Sequence, residues 1–317
     1  MKKLAVQMDP ISSINFDTDS TVCLMQEALS RGFEIWYYTP KDLYLKNGSL
    51  YANVSKVLNS KIELGQSKSV LLESFDLLFM RNDPPVNMSY ITATYLLENI
   101  ADKVLILNNP TAVRNIPEKI FALNNFSEFM PPTLVTEDSN IAESFLNEHE
   151  EIVLKPLYGF GGHDIFKCTK NDILSFQKCF EQVLEHSEAP VMLQKFLPSI
   201  REGDKRILLL DGKSIGAINR IPQGDSIKAN LVMGGVATQT TITTREEEIC
   251  RRVGDELNKN GVIFAGLDVI GGFLTEINIT SPTGIRSVNR LYNLSGGERI
   301  ESQILDSILV KLSNRSL

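Results

Sequence analysis

The 317-residue chain holds 32 Lys and Arg against 39 Asp and Glu, a formal net charge of -7, with 43% hydrophobic and 22% charged residues. These shares lie near the averages for globular proteins and exclude general disorder or a fibrous repeat, while the acidic balance and the lack of a long Lys/Arg run argue against a nucleic-acid or anionic-membrane surface. The length suits two or three subdomains, with small molecules or proteins as partners. Cys23, Cys168, Cys179 and Cys250 form no C-x-x-C pair, and His149, His163 and His186 do not cluster. Neither zinc nor a disulfide framework is expected, and reduced thiols in a cytoplasm are. The apolar stretch of MKKLAVQMDP is broken by Gln7 and Asp9 and is too short for a signal peptide. No run approaches the roughly 18 to 20 apolar residues of a membrane span.

In chain order, LAVQM (4–8) reads as a buried strand. TDSTVCLMQEALSRG (18–32) reads as a helix capped by Asp or Ser and stopped by Gly32, and FEIWYY (33–38) as a second strand. FDLLFM (75–80) and VLILN (104–108) follow, with the helical stretch YITATYLLENIA between them. This βαβ rhythm predicts an open, mostly parallel sheet, whose ligand crevice lies beyond the carboxyl ends of the strands. Those ends carry Asp9-Pro10, Arg81-Asn82-Asp83-Pro84-Pro85 and Asn108-Asn109-Pro110. The asparagines and prolines fit turn chemistry, whereas Arg81 is placed to grip a substrate carboxylate.

Beyond residue 119 the rhythm changes. A helix over Glu118 to Phe126, opened by Pro117, leads to PPTLVT, to a helix near 139–148, and then to strand, Gly-rich loop, strand. From 190 the pattern turns antiparallel: VMLQKFL, then RILLLDGKSIGAINRI around an Asp-Gly turn, then PQGDSIKANLVMGGVAT without clear periodicity.

In IVLKPLYGFGGHDIF (152–166), Gly159, Gly161 and Gly162 could bring backbone amides close to phosphate oxygens, with Lys155 supplying a point charge. No G-K-[ST] follows, and the run continues as a strand, so it is neither a Walker A loop nor a dinucleotide fingerprint. Taken alone, a glycine cluster joining two strands is more often a plain β-turn.

The hairpin LDVIGGFLTEINITSPTG (267–284) carries Asp268, Glu276 and Asn278 among apolar residues. Buried carboxylates need a compensating cation or a route to water. Glu276 and Asn278 share a face; Asp268 joins it only opposite Glu276, which predicts an odd loop, Gly271-Gly272-Phe273, with a bulge. Two carboxylates and an amide are hard ligands suited to Mg²⁺ that also contacts phosphate.

A glycine loop between strands, a lysine before it and a D-x7-E-x-N trio on a late hairpin together resemble the ATP-grasp ligases. MDPISSIN, MRNDPP, KPLYGFGG, GDKRILLLDG, RIPQG and GLDVIGGFLTEINITSPTGIR, in this order over nearly the whole chain, resemble the bacterial type of glutathione synthetase. The resemblance implies an N-terminal α/β substrate-side domain (1–118) and a two-lobed ATP-grasp fold, with a small lobe at 119–200 and a C-terminal lobe at 201–317. It implies ATP-dependent joining of γ-glutamylcysteine to glycine through an acyl phosphate, in a cytoplasmic homotetramer. By the same resemblance Lys119, Lys155, Gly159, Gly161 and Gly162 bind ATP phosphates, Gln194, Lys195, Phe196 and Leu197 line the adenine, and Asp204 faces the nucleotide. Asp268, Glu276 and Asn278 would hold two Mg²⁺, with Mn²⁺ the alternative, and Arg206 and Arg220 would stabilise developing charge. Ser281, Thr283 and Arg286 would bind the glycine carboxylate, next to Ser287 where relatives often carry an acid. Another carboxylate–amine ligase, adding glutamate or joining D-alanine, would share the metal trio and differ in its acceptor pocket. An acyl phosphate needs shelter from water, and 222–238, with Gly224, Gly234 and Gly235, is the candidate lid.

Overall fold

The computed structural model describes residues 1–159, 162–187, 189–224, 229 and 234–315. The N-terminal sheet is built on β1 (Lys3–Gln7), β2 (Glu34–Tyr38), β6 (Leu77–Met80) and β7 (Leu105–Leu107), which run parallel in the order β2-β1-β6-β7. The helix α1 (Ser20–Ser30) crosses from β1 to β2. The Asp19 carboxylate accepts from the Val22 amide at 2.7 Å, and Gly32 at φ +79° ends the turn, as the cap and stop signals predict. The helix α2 (Met88–Glu98) follows β6 and precedes β7 in the chain. An antiparallel meander of β3 (Leu43–Lys46), β4 (Ser49–Val57) and β5 (Leu64–Leu71) extends the sheet beyond β2. Its hydrophobic alternation is weak because most of β5 faces solvent.

After α3 (Pro110–Asn115) and α4 (Ile120–Phe126) comes a four-stranded antiparallel sheet of β8 (Thr133–Thr136), β9 (Glu151–Pro156), β10 (Phe166–Thr169) and β11 (Val191–Lys195), in the order β10-β9-β11-β8. Two helices, α5 (Ser139–His149) and α6 (Ile173–Ser187), close a core of their own with Ile152, Leu154, Leu193, Phe176 and Phe180.

The third sheet holds β12 (Asp204–Leu210), β13 (Lys213–Ile221), β14 (Val236–Thr238), β15 (Phe264–Ile270) and β16 (Phe273–Asn278), in the order β14-β13-β12-β15-β16. Asp211 and Gly212, at φ +48° and +74°, make the tight β12–β13 turn that the Asp-Gly pair predicts. Three helices complete this part: α7 (Thr244–Lys259), opened by a reciprocal Thr243–Glu246 cap, α8 (Ile285–Leu291) and α9 (Ile300–Arg315). Strand β14 falls inside the stretch expected to be an aperiodic lid; residues 225–228 and 230–233 of that stretch lie outside the described residues.

The first and third sheets share their apolar cores. Leu78 and Met80 cluster with Ile207, Leu209 and Leu267, and Leu4 and Val6 with Leu208, Phe264 and Ile304. At their junction sits Asn108, just past β7 and 2% exposed. Its amide nitrogen donates to the carbonyls of Phe264 (2.7 Å) and Ile279 (2.8 Å), and its Oδ1 accepts from the amides of Ile263 (2.9 Å) and Phe264 (3.0 Å). The residue predicted as turn chemistry is instead a fully bonded clamp between two parts of the molecule.

Candidate active site

The hairpin of β15 and β16 brings Asp268 opposite Glu276 and Gly266 opposite Asn278, so the three polar side chains share one face. The route differs from the expected odd loop. Gly271 and Gly272 form a two-residue turn between the paired Ile270 and Phe273, at φ +57° and +77°. Thr275 is then an extra residue on β16, and this bulge alone shifts the phase that a strict two-residue turn would impose. The Thr275 hydroxyl donates to the Asp268 carbonyl at 3.1 Å, pinning the bulge.

Asp268 is buried between two arginines of the neighbouring strands. Arg206 on β12 donates to both carboxylate oxygens (Nε 2.5 Å, Nη2 2.9 Å), and Arg220 on β13 reaches Oδ1 at 3.0 Å. Burial alone would raise the Asp268 pKa, but the two guanidinium groups outweigh it and hold the carboxyl well below the usual range. Arg220 also meets Asp204 at 2.6 Å; burial pushes the Asp204 carboxyl up to about 6 despite that partner. The Asn278 amide stands 3.3 Å from Asp268 Oδ2. Gly266 gives this packing its room, because a Cβ there would come 3.0 Å from Arg206 Cδ.

From the opposite side come two buried lysines. Lys119, at the start of α4, donates to the Gly159 carbonyl at 2.8 Å and lies 3.5 Å from Glu276 Oε1; Lys155, on β9, lies 3.9 Å from the same oxygen. Burial depresses the Lys155 ammonium to about 8, with Glu276 opposing and Lys119 reinforcing the shift. Beside them the Glu118 carboxyl, which no motif marks, is pushed up to about 7 by burial, which the charge of Lys119 only partly offsets. Its backbone carbonyl accepts from the Ile277 amide at 3.1 Å, tying α4 to β16. Nothing in a lone Glu118 before the helix signals that contact.

The face opens into a slot lined by Lys155, Gly162, Gln194, Lys195, Phe196, Leu197, Asp204, Asp268 and Glu276, with Val153, Ile165, Ile200, Ala229 and Ile270 as its apolar wall. Gln194 is anchored on Thr133 Oγ1 at 3.0 Å, and the Lys167 ammonium lies 3.9 Å from the centre of the Phe196 ring. Gly159 closes the loop base where a Cβ would fall 2.3 Å from Pro156 Cγ; Gly161 lies outside the described residues. One narrow apolar slot ending in lysines, arginines and carboxylates suits a flat ring with a polyanionic tail.

The remaining candidates gather at the carboxyl ends of β1 and β6. Arg81 is buried and donates to Thr21 Oγ1 (3.1 Å) and the Pro282 carbonyl (2.9 Å). The Ser281 hydroxyl donates to Asp83, and the Thr283 carbonyl lies 3.5 Å from Arg206 Nη1. Arg286 stands against the first helix of the N-terminal domain. Its guanidinium docks on α1, donating to the Asp19 carbonyl (3.1 Å) and Gln26 Oε1 (3.0 Å).

Residues 2–114 match the model of the prokaryotic glutathione synthetase N-terminal domain, and residues 118–293 that of the prokaryotic glutathione synthetase ATP-grasp domain. The chain is 44% identical to the glutathione synthetase of Rhodopseudomonas palustris over 98% of both chains, and 42% identical to that of Agrobacterium fabrum over 97% of this chain and 96% of the relative. Among solved structures, D-cycloserine synthetase DcsG superposes with a TM-score of 0.67 at 15% identity, covering 97% of this chain and 99% of that one. D-alanyl-alanine synthetase A of Vibrio cholerae does so with 0.64 at 14%, covering 98% of each. These two share the ATP-grasp fold. With both family models matched and relatives above 40% identity along almost the full length, the chain belongs to the prokaryotic glutathione synthetase family.

Proposed function

We propose that the protein joins γ-L-glutamyl-L-cysteine to glycine, using ATP and releasing ADP and phosphate through an acyl phosphate. The observation that carries this reading is the opposed charge of one face: Lys119 and Lys155 converge on Glu276 while Arg206 and Arg220 converge on Asp268. Phosphoryl transfer asks for such fixed positive charge around the moving group and little covalent help. The lysines hold the phosphate tail, Gly159 and Gly162 let the loop approach it, Gln194 to Leu197 and Asp204 bind the nucleoside end, and the arginines face the charge that develops on transfer.

Among the described residues no group of three or more His, Cys, Asp and Glu gathers as a metal centre. The donor set here is instead Asp268, Glu276 and the Asn278 amide, which fits a hard divalent cation that takes its other ligands from phosphate and water. Mg²⁺, or Mn²⁺ in its place, would supply neutralisation of the phosphate oxygens there. Ser281 and Thr283 border the acceptor end, Arg81 braces the 280–284 loop beside them, and Arg286 anchors that loop on α1. The reading extends to a division at 118 and 200 and to a cytoplasmic homotetramer. No helix among the described residues is long and apolar enough to cross a membrane.

The test is phosphate release from ATP with Mg²⁺, γ-glutamylcysteine and glycine, omitting each in turn; release that ignores the peptide or glycine overturns the reading. A pH effect follows as well. Lys155 is charged below and neutral above about 8 in the free protein. With peptide and glycine saturating, kcat/KM for ATP should therefore fall as pH rises through that value, since this parameter reports the free enzyme. In Lys155→Arg the limb should move to higher pH, because a guanidinium stays protonated; an unmoved limb assigns the titration to another group.

A further inference from the structure

The four-stranded sheet lays one row of side chains across the face that walls the slot. Lys167 on β10 stands opposite Val153 on β9, Val153 opposite Gln194 on β11, and Gln194 opposite Thr133 on β8. Directly opposed residues of antiparallel strands share a face. Val153 and Gln194 line the slot; among the described residues that do so, Phe196 is one and Lys167 is not. Lys167 therefore belongs to the face of the wall but stands outside the space that the wall encloses. Its ammonium is held in two directions. It lies over the Phe196 ring, 3.9 Å from the centre, and 2.7 Å from the Glu151 carboxylate at the start of β9. The backbone carbonyl of the same Glu151 accepts from the Phe196 amide at 3.0 Å, so one residue seats both the ring and the cation. The ring is 9% exposed and packs with Ile200, Ala229, Val153 and Ile270. A cation over an aromatic face is worth a factor of about 2 to 5 in an equilibrium where water reaches it and about 30 where it does not. The Lys167 side chain, 31% exposed, lies between these limits. The ion pair with the more exposed Glu151 adds little strength of its own, and its effect is to keep the ammonium in place.

We propose that Lys167 is a positioning residue for the base of ATP: its ammonium, held over Phe196, fixes the plane of the ring that forms part of the apolar wall, so that the slot presents a flat surface before the nucleotide arrives. The assignment rests on the nucleotide reading of the slot and adds to it a group that does not touch the ligand. Its physical basis is preorganisation. An aromatic side chain at the wall of an open slot has other rotamers to sample, and immobilising such a side chain on binding costs a factor of about 2 to 12 in affinity. A ring already held by the cation and by the Glu151 carbonyl spares most of that loss.

The experiment measures nucleotide affinity directly, by calorimetric titration with Mg-ADP, alongside the KM for ATP with γ-glutamylcysteine and glycine saturating. Lys167→Met, which keeps the apolar stem and drops the charge, should weaken Mg-ADP and raise the KM for ATP ~3- to 10-fold, with kcat and the KM for γ-glutamylcysteine unmoved. Lys167→Arg should restore wild-type values within ~2-fold, because a guanidinium also sits over an aromatic face. In a Phe196→Leu background Lys167→Met should make no further difference, since the cation then has no ring to hold. A loss that persists in that background marks a through-space pull on the phosphates and overturns the proposal. Unchanged Mg-ADP affinity in Lys167→Met, or an arginine variant as weak as the methionine one, overturns it as well. Wild-type protein that binds Mg-ADP with this dependence on Lys167 but releases no phosphate in response to γ-glutamylcysteine and glycine upholds the positioned wall and sinks the synthetase reading, so the two fail separately.

Discussion

Asp268→Asn is expected to lower ligation by ~10³-fold or more and to destabilise the fold by about 3 kcal/mol, whereas Glu276→Gln should match the first effect and show little of the second. Asp268 is 4% exposed and carries two guanidinium partners. An amide at that position leaves Arg206 and Arg220 buried beside each other without a full counter-charge, and both lose the orientation that aims them at the transferring group. Glu276 lies at the mouth of the slot, and its side chain is 23% exposed. Its loss removes a candidate metal ligand and frees Lys119 and Lys155 from their shared partner, but water reaches that edge and screens the change. The sign of the pH effect is fixed by the depressed Asp268 pKa. Its stabilisation is fully present above the unfolded carboxyl value of about 4 and is lost as pH falls toward the lower folded value. The stability gap between wild type and Asp268→Asn should therefore hold from pH 7 to about 5 and shrink below about 4. Urea unfolding across that range measures it, and a gap that widens in acid contradicts the ion-pair account.

Asn108→Ala is expected to cost on the order of 4 kcal/mol or more, and Asn108→Asp still more, because each buried group left without a partner costs roughly 1 to 3 kcal/mol. The alanine strips partners from the amides of Ile263 and Phe264 and from the carbonyls of Phe264 and Ile279. Aspartate keeps the two acceptor contacts but sets an oxygen, charged or carrying one proton, against two carbonyls. Total stabilities of domains run to only about 5 to 15 kcal/mol, so either variant should show a steep fall in the urea midpoint. If Asn108→Asp proves no worse than Asn108→Ala, the donor half of the clamp does not matter as argued. Since the clamp joins the end of β7 to β15 and to the segment just after β16, partial unfolding there should also weaken the metal-face hairpin.

Much of this site is written locally in the chain. The Asp19 cap and Gly32 stop of α1, the Asp211-Gly212 turn, and the shared face of Glu276 and Asn278 follow from periodicities and conformational preferences spanning two to four residues. The order of the motifs along the chain carried the family as well. The phase of Asp268 was less legible. Its position opposite Glu276 depends on the Thr275 bulge, held by a hydroxyl-to-carbonyl bond across the hairpin, and a loop length alone does not reveal it.

Local sequence supplies the groups and the strand faces that carry them: lysines and glycines around a loop, carboxylates and an amide on one hairpin, arginines on the strands before it. Their partners are set by long-range packing. Arg206 and Asp268 are 62 residues apart, Asn108 and Phe264 156 residues apart, and Arg81 and Pro282 201 residues apart. Such pairs form because desolvated charges and amides must find partners wherever the packed sheets bring them. The choice rests on the summed geometry of three sheets, so Asn108 reads as a turn residue and is a clamp, and the contact of Glu118 with Ile277 carries no local mark at all.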